Sequence, residues 1–356
     1  MKRNTLLASA AALAAGTAIA LAPPAHAASW GDVPTSATAY DGTLDRVDFA
    51  GKDVGWAVGS SGSLFTPKTR LLRWTTSGWA TQTSPADFIP TDIAVGNANR
   101  AWVVGYSLTG MTGLYWNGTT WTKVPYPLVG LPTQVSAAPD GTAYSVAGVD
   151  AAAGGLSAIM RWNGTAWVDT SVPLPPSSAI TAVDVRSAND VWLAGTTSNG
   201  TAVTGLVMHY DGTSWKRHDL PGNMGVPAYQ GTLHRIVALS PTNVYALRVR
   251  QNAQVTNALL HWNGTSWRTI DTPLNAAGIG LSPDGSGGVV MLPITTGTRT
   301  QYMHYDGSTW TTLNGPSRTG TVQATDADHR PGTTAVVSTG TATAPDKKTP
   351  FIENFS

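Results

Sequence analysis

The sequence predicts an all-β protein, a seven-bladed β-propeller of four-stranded blades whose last blade is closed by the N-terminal strand. Three observations lead there. A unit of about 46 residues recurs along the chain. Each unit carries a tryptophan-bearing hairpin, and the two chain ends supply complementary parts of one further unit.

The hairpin is the clearest part of the repeat. An aromatic residue is followed by a short turn and then by Trp. The pairs are Trp74/Trp79, Trp116/Trp121, Trp162/Trp167, Tyr210/Trp215, Trp262/Trp267 and Tyr305/Trp310. Most of the turns are Asn-Gly or Asp-Gly, as in Asn163-Gly164 and Asp211-Gly212. That dipeptide favours a two-residue type I′ turn, whose central residues both need positive φ. On this geometry Trp162 faces Thr165, Met160 faces Trp167, and the two indoles lie diagonally on one face. Each indole can bury about 150–250 Å², so its repetition in every unit reads as packing between blades.

Upstream of each hairpin lies an apolar strand: Gly55 to Gly59, Ala101 to Gly105, Val191 to Gly195, and more loosely Val244 to Leu247 and Val289 to Leu292. Near-continuous apolar runs suit strands covered on both faces. Before each is another strand ending in a polar turn, such as Pro139-Asp140-Gly141 or Asn189-Asp190. Each unit is therefore four strands, A to D, and D ends near a proline such as Pro125 or Pro173.

The chain ends complete the seventh unit. Residues 321–325 read as its A strand, Ala335 to Ser338 as B, and Pro350 to Phe355 as C. Its D strand is missing there, and Ser29 to Pro34 matches the pattern, with Trp30 in the Trp slot and Phe355 in the aromatic slot. A blade built from both ends removes the open sheet edge. Residues 28–356 then form one domain of seven units, about 47 residues each.

Residues 1–27 read as a removed export signal. Lys2 and Arg3 precede an alanine-rich apolar stretch, and Ala25-His26-Ala27 is a small-x-small cleavage site. A secreted, extracellular protein is expected. No later apolar run is long enough to span a bilayer, so membrane insertion is not expected. Charged residues are 12% of the chain and the net charge is +1, which provides no electrostatic footprint for nucleic acid. Cysteine is absent, which excludes thiol nucleophiles and thiolate metal sites. Glu353 is the one glutamate; helical proteins use that residue heavily.

The units resemble the Trp-rich propeller repeats of secreted bacterial proteins, which read roughly Asp-Val-Trp-Ala-Val-Gly, then an apolar strand, then Trp-Asn-Gly-Thr-x-Trp. Asp190 to Gly195 and Trp162 to Trp167 carry the likeness. The hairpin is also similar, in part, to the Asp-box of sialidases and to the repeat of photosystem-assembly propellers. The resemblance covers nearly all of residues 28–356. It implies a propeller scaffold shared with lectins, some of which target cell surfaces as subunits of extracellular toxin particles.

Binding residues are expected where units differ. The A–B and C–D turns share one face and are short and uniform. The D–A and B–C connections share the other and are long and irregular, which is where a rigid scaffold carries recognition. The candidate ligand-binding residues on that face are Tyr40, Asp41, Phe65, Asp87, Phe88, Tyr126, Tyr229 and Gln230. Rings beside carboxylates or amides suit sugars, covering C–H faces while polar neighbours bond the hydroxyls. Arg248 and Arg250 point toward the same face. His209, His261 and His304, which precede the aromatic of strand C, are expected to hydrogen-bond between blades.

No catalytic constellation is expected. Glycosidases usually need two carboxylates, and neither a Gly-x-Ser-x-Gly elbow nor a His-Glu-x-x-His helix is present. No cofactor or metal is expected; Asp326, Asp328 and Gly332 are too few and too poorly spaced for a calcium loop. The expected function is a secreted, non-enzymatic, lectin-like module for cell-surface glycans. A ring that docks a secreted protein partner is the first alternative, and a polysaccharide hydrolase or lyase the second.

Overall fold

A computed structural model describes residues 29–127, 130–148, 157–198, 200, 203–222, 231–250, 256–273 and 278–355. The strands, numbered β1 to β28 along the chain, form seven antiparallel four-stranded sheets. Blade 1 runs β2 (Gly42–Gly51), β3 (Val54–Gly62), β4 (Pro67–Thr75) and β5 (Gly78–Gln82). The innermost strands of blades 2 to 7 are β6 (Ile89–Asn97), β10 (Leu131–Ala137), β14 (Ser178–Ser187), β18 (Gly231–Ser240), β22 (Gly278–Pro283) and β26 (Thr321–His329).

The last blade is shared between the chain ends, as the sequence predicts. Its order is β1 (Trp30–Asp32), β28 (Lys348–Phe355), β27 (Val336–Thr343), β26. Trp30 pairs with Phe355, Gly31 with Asn354 and Asp32 with Glu353. Three residue pairs zip this edge, with Val33 N donating to Ile352 O at 2.9 Å just beyond them, and side chains reinforce so short a strand. Glu353 is fully buried and accepts from the Thr300 and Tyr302 hydroxyls of blade 6, at 2.8 and 2.6 Å. Arg318 binds both Glu353 and Asp32.

Most of the core lies between blades. The strand-B aromatic of one blade meets the hairpin pair of the next: Trp56 lies 5.0 Å from Trp116 and 4.8 Å from Trp121, centre to centre. Trp192 meets Trp262 and Trp267 in the same way. The strand-B glycine has a steric cause. Each inner strand carries a register shift, between Leu44 and Arg46 in blade 1 and between Ile180 and Ala182 in blade 4. That bulge pushes a carbonyl against strand B, where a Cβ on Gly59 or Gly195 would overlap the oxygen of Thr43 or Ala179.

Two local expectations are corrected. The Asx-Gly hairpins are not two-residue turns. Trp162 pairs directly with Trp167, and the loop between them is closed by Asn163 N–H donating to Ala166 O at 3.1 Å. Gly164 takes positive φ and Asn163 does not. Instead, Asn163 Oδ1 accepts from Thr165 N (3.0 Å), Thr165 Oγ1 (3.0 Å) and Ala166 N (2.9 Å). Asp211 makes the same three contacts, so the slot requires an acceptor oxygen. The strand-C histidines bond within their own blades: His209 to Asp190, His261 to Asn243 and His304 to Asp284. Turn residues at the end of the same sheet are simply closer than the neighbouring sheet.

Candidate functional site: the axial girdle and the loop face

Each inner strand has a sheet neighbour on one side only, so its axial edge exposes N–H groups that need acceptors. Side chains of the preceding blade supply them. Counting from the bulge, the first position is Arg46, Asp92, Gln134, Ala182, Arg235, Gly280 and Asp326 in blades 1 to 7. The position two residues on is Asp48, Ala94, Ser136, Asp184, Val237, Ser282 and Asp328. Asp92 accepts from Val135 N at 2.8 Å, Gln134 from Val183 N at 2.8 Å and Asp326 from Val47 N at 3.1 Å. From the second position, Asp48 holds Val95 N, Ser136 holds Val185 N, Asp184 holds Ala238 N and Asp328 holds Phe49 N. These bonds stitch five of the blade-to-blade seams around the axis. Thr91, Thr181 and Thr325, on the bulges, add hydroxyl bonds to Pro132, Leu233 and Leu44 of the following blades.

The girdle surrounds a cavity of ≈ 190 Å³ that receives five carboxylates and two guanidiniums. Arg46 Nε lies 3.4 Å from Asp92. Burial dominates the electrostatics: it pushes the Asp92 carboxyl up to about 7, against the pull of Arg46, and Asp184 up to about 6. Asp48 and Asp328 are both raised by burial, and each is held beside the other. Asp326 and Asp328 are therefore parts of this girdle.

The opposite features gather at the loop face. Seven large apolar side chains are exposed among the described residues. Leu64, Phe65, Leu108, Val203 and Ile294 lie at B–C connections, and Leu131 lies where a D–A connection enters its blade. Only Val168, on an outer strand, lies elsewhere. Phe65 is 78% exposed and Leu108 59%. Between blades 1 and 7 the same face holds a cavity of ≈ 590 Å³, lined by Asp41, Thr43, Ser60, Ser61 and the turn 343–348.

The structure sorts the predicted site residues into distinct groups. Phe65 is presented to solvent. Phe88 is fully buried, its backbone bonded both ways by the Thr69 hydroxyl, and it packs in the core between blades 1 and 2. Tyr126 is buried beside Trp167, with its hydroxyl 3.0 Å from Ser145. Both rings are core, because the next blade covers them, and the expectation that they offer a ring face is corrected. Tyr40 is half-buried: its hydroxyl donates to Thr43 O, and the Arg70 guanidinium covers its ring at 4.8 Å. Asp41 accepts from Lys348 N at 3.0 Å, capping an outer-edge N–H of β28 beyond the reach of β1. Asp87 pairs with Lys68. Arg248 is buried and donates to Pro221 O. Tyr229, Gln230 and residues 1–27, read above as an export signal, lie outside the described residues, as does the side chain of Arg250.

The girdle escaped sequence reading. Aligning the strand-A segments on their bulges brings Asp92 level with Asp326 and Asp48 level with Asp184 and Asp328. The bulge itself is invisible in the pattern.

A scan of family models matches none of this chain, and no curated protein matches it. Solved structures match along nearly the whole length. They include YCF48 bound to D1 peptide, at 15% identity and TM-score 0.58, covering 94% of this chain and 98% of that one. Virginiamycin B lyase from Staphylococcus aureus matches at 9% identity and TM-score 0.60, covering 93% and 99%. The WD40 repeats of RRP9 match at 9% and 0.59, covering 89% and 94%. At such identities the likeness establishes the propeller fold alone.

Proposed function

We propose that this chain is a secreted, non-enzymatic binding module that docks a protein partner on its loop face. The observation that carries this is the one-sided placement of exposed apolar side chains, with six of seven at the ends where the B–C and D–A connections lie. Exposed apolar groups gathered on one face mark interaction surfaces more often than scattered ones do. The girdle carboxylates do not argue for catalysis, since those named above are each committed to a backbone N–H of the next blade. The residues before Ala28 support export. The similar YCF48 structure holds a peptide, a precedent for the architecture rather than for these residues.

Glycan recognition, as a targeting subunit, is the second reading. It rests on the cavity between blades 1 and 7, whose hydroxyl, carboxylate and ammonium lining would suit a sugar. One experiment separates the two. A photo-crosslinking residue is placed at Phe65, at Leu108 or at Val168, and each protein is exposed to culture supernatant and to a glycan array. The docking reading requires a stoichiometric protein adduct from positions 65 and 108 and none from 168. Saturable glycan binding lost on Asp41→Ala, with no protein adduct, would replace it. Turnover of a polysaccharide would overturn both.

A further inference from the structure

The seam between the last and first blades differs from the other seams of the girdle. Two carboxylates of β26, Asp326 and Asp328, reach across it to Val47 N and Phe49 N. At Phe49 the donor is oversubscribed. Its single N–H lies 2.8 Å from Asp328 Oδ2 and 3.0 Å from Asp48 Oδ1. One N–H cannot satisfy two carboxylate oxygens brought that close, so the pair needs a proton between them. The sheet that must part for the ring to open is this same blade, where β1 holds β28 by three residue pairs.

We infer that Asp48 and Asp328 form a proton-dependent clasp: a proton shared between them keeps the seam shut, and its loss sets two like charges against each other and releases the N-terminal strand. The surroundings favour this response. From β26, Asp326 adds a further negative charge, and from β6, Asp92 does the same. Arg46, on the strand of Asp48, is engaged by Asp92 and Asp326. Arg235, across the axis, faces Asp92 and Asp326. Asp184 of blade 4 lines the same cavity. His329, the other titratable group of β26, bonds Thr333 O. The strands β3, β22 and β27 that pack on this pair contribute no ionisable side chain. Arg330, two residues beyond Asp328, lies over the Trp74 ring of blade 1.

The chain has no cysteine, so two introduced thiols can carry spin labels without background. Ser36→Cys follows the closing strand, and Thr319→Cys lies in the connection after the outer strand of blade 6, next to Arg318, which binds Asp32 of the closing strand; both positions are exposed. Distances between the labels are measured by pulsed electron resonance from mild acid to mild alkali. A single short distance in acid is expected, with a longer, broader population growing through neutrality. Asp328→Asn keeps an acceptor for Phe49 N and supplies Asp48 with a donor, so that variant should stay short throughout. Asp92→Asn, away from the seam, should retain the response. A parent distribution that ignores pH overturns the clasp, as does an Asp328→Asn protein that opens like the parent.

Discussion

Trp30, the first residue of the closing strand, lies flat on Tyr302 of the preceding blade, with ring centres 3.6 Å apart and planes 11° from parallel. The stack ties the N-terminal strand to blade 6 as well as to its own sheet. The Tyr302 hydroxyl in turn donates to Glu353, which holds Arg318, which reaches back to Asp32. Ring closure is therefore a loop of side-chain contacts spanning both chain ends.

The stack should dominate closure. Trp30 is 5% exposed, and truncating a buried Trp costs about 3–5 kcal/mol. Trp30→Ala is expected to lower the urea midpoint accordingly. Equal stability of parent and variant would show that the three backbone pairs of β1 suffice alone.

Glu353 tests the buried ion pair. Removing one partner of such a pair costs about 3–5 kcal/mol, because the other is left buried and uncompensated. Glu353→Ala also strips the Tyr302 and Thr300 hydroxyls of their acceptor. A thermal melt should show a marked loss, partly restored by Glu353→Gln, which keeps an acceptor oxygen.

Phe65 and Phe88 should part company. Phe88→Ala is expected to destabilise by about 3–5 kcal/mol. Phe65→Ala should change stability by less than about 0.5 kcal/mol while weakening partner capture. Chemical denaturation of both variants, beside the crosslinking assay, checks the division. A Phe65 variant that unfolds easily would move that ring from recognition to packing.

Stability should fall as pH rises toward neutrality. Burial raises the carboxyls of Asp92 and Asp184 to about 7 and about 6 in the folded chain, against about 3.9 when unfolded. Between those values the folded state binds more protons, so each step up in pH favours unfolding. The effect is absent below the unfolded value and complete above the folded one. Melting temperatures taken across this range should decline, and Asp92→Asn should flatten part of the slope.

The Asx turns should tolerate exchange. Asn163→Asp places the acceptor oxygen that Asp211 already uses in the equivalent turn, and should leave stability within about 0.5 kcal/mol. A larger loss, read by denaturation, would show that the amide nitrogen has a partner the turn geometry does not require.

The linear pattern alone was enough to specify the architecture. A hairpin repeated in six blades announces its period, and Trp30 and Phe355 can be matched because they fill the vacant slots of the seventh. Repetition is legible because each blade solves the same packing problem. What one blade does to the next appears only once the sheets are packed around the axis. Phe65 and Phe88 both sit in connections by pattern, yet a neighbouring sheet covers one and not the other. Asp48 and Asp328 lie 280 residues apart in the chain and meet only because a bulge in each inner strand sets which side chains turn toward the axis. Burial and axial contact depend on where other blades stand, and a linear pattern carries the spacing of one sheet but not the approach of its neighbour.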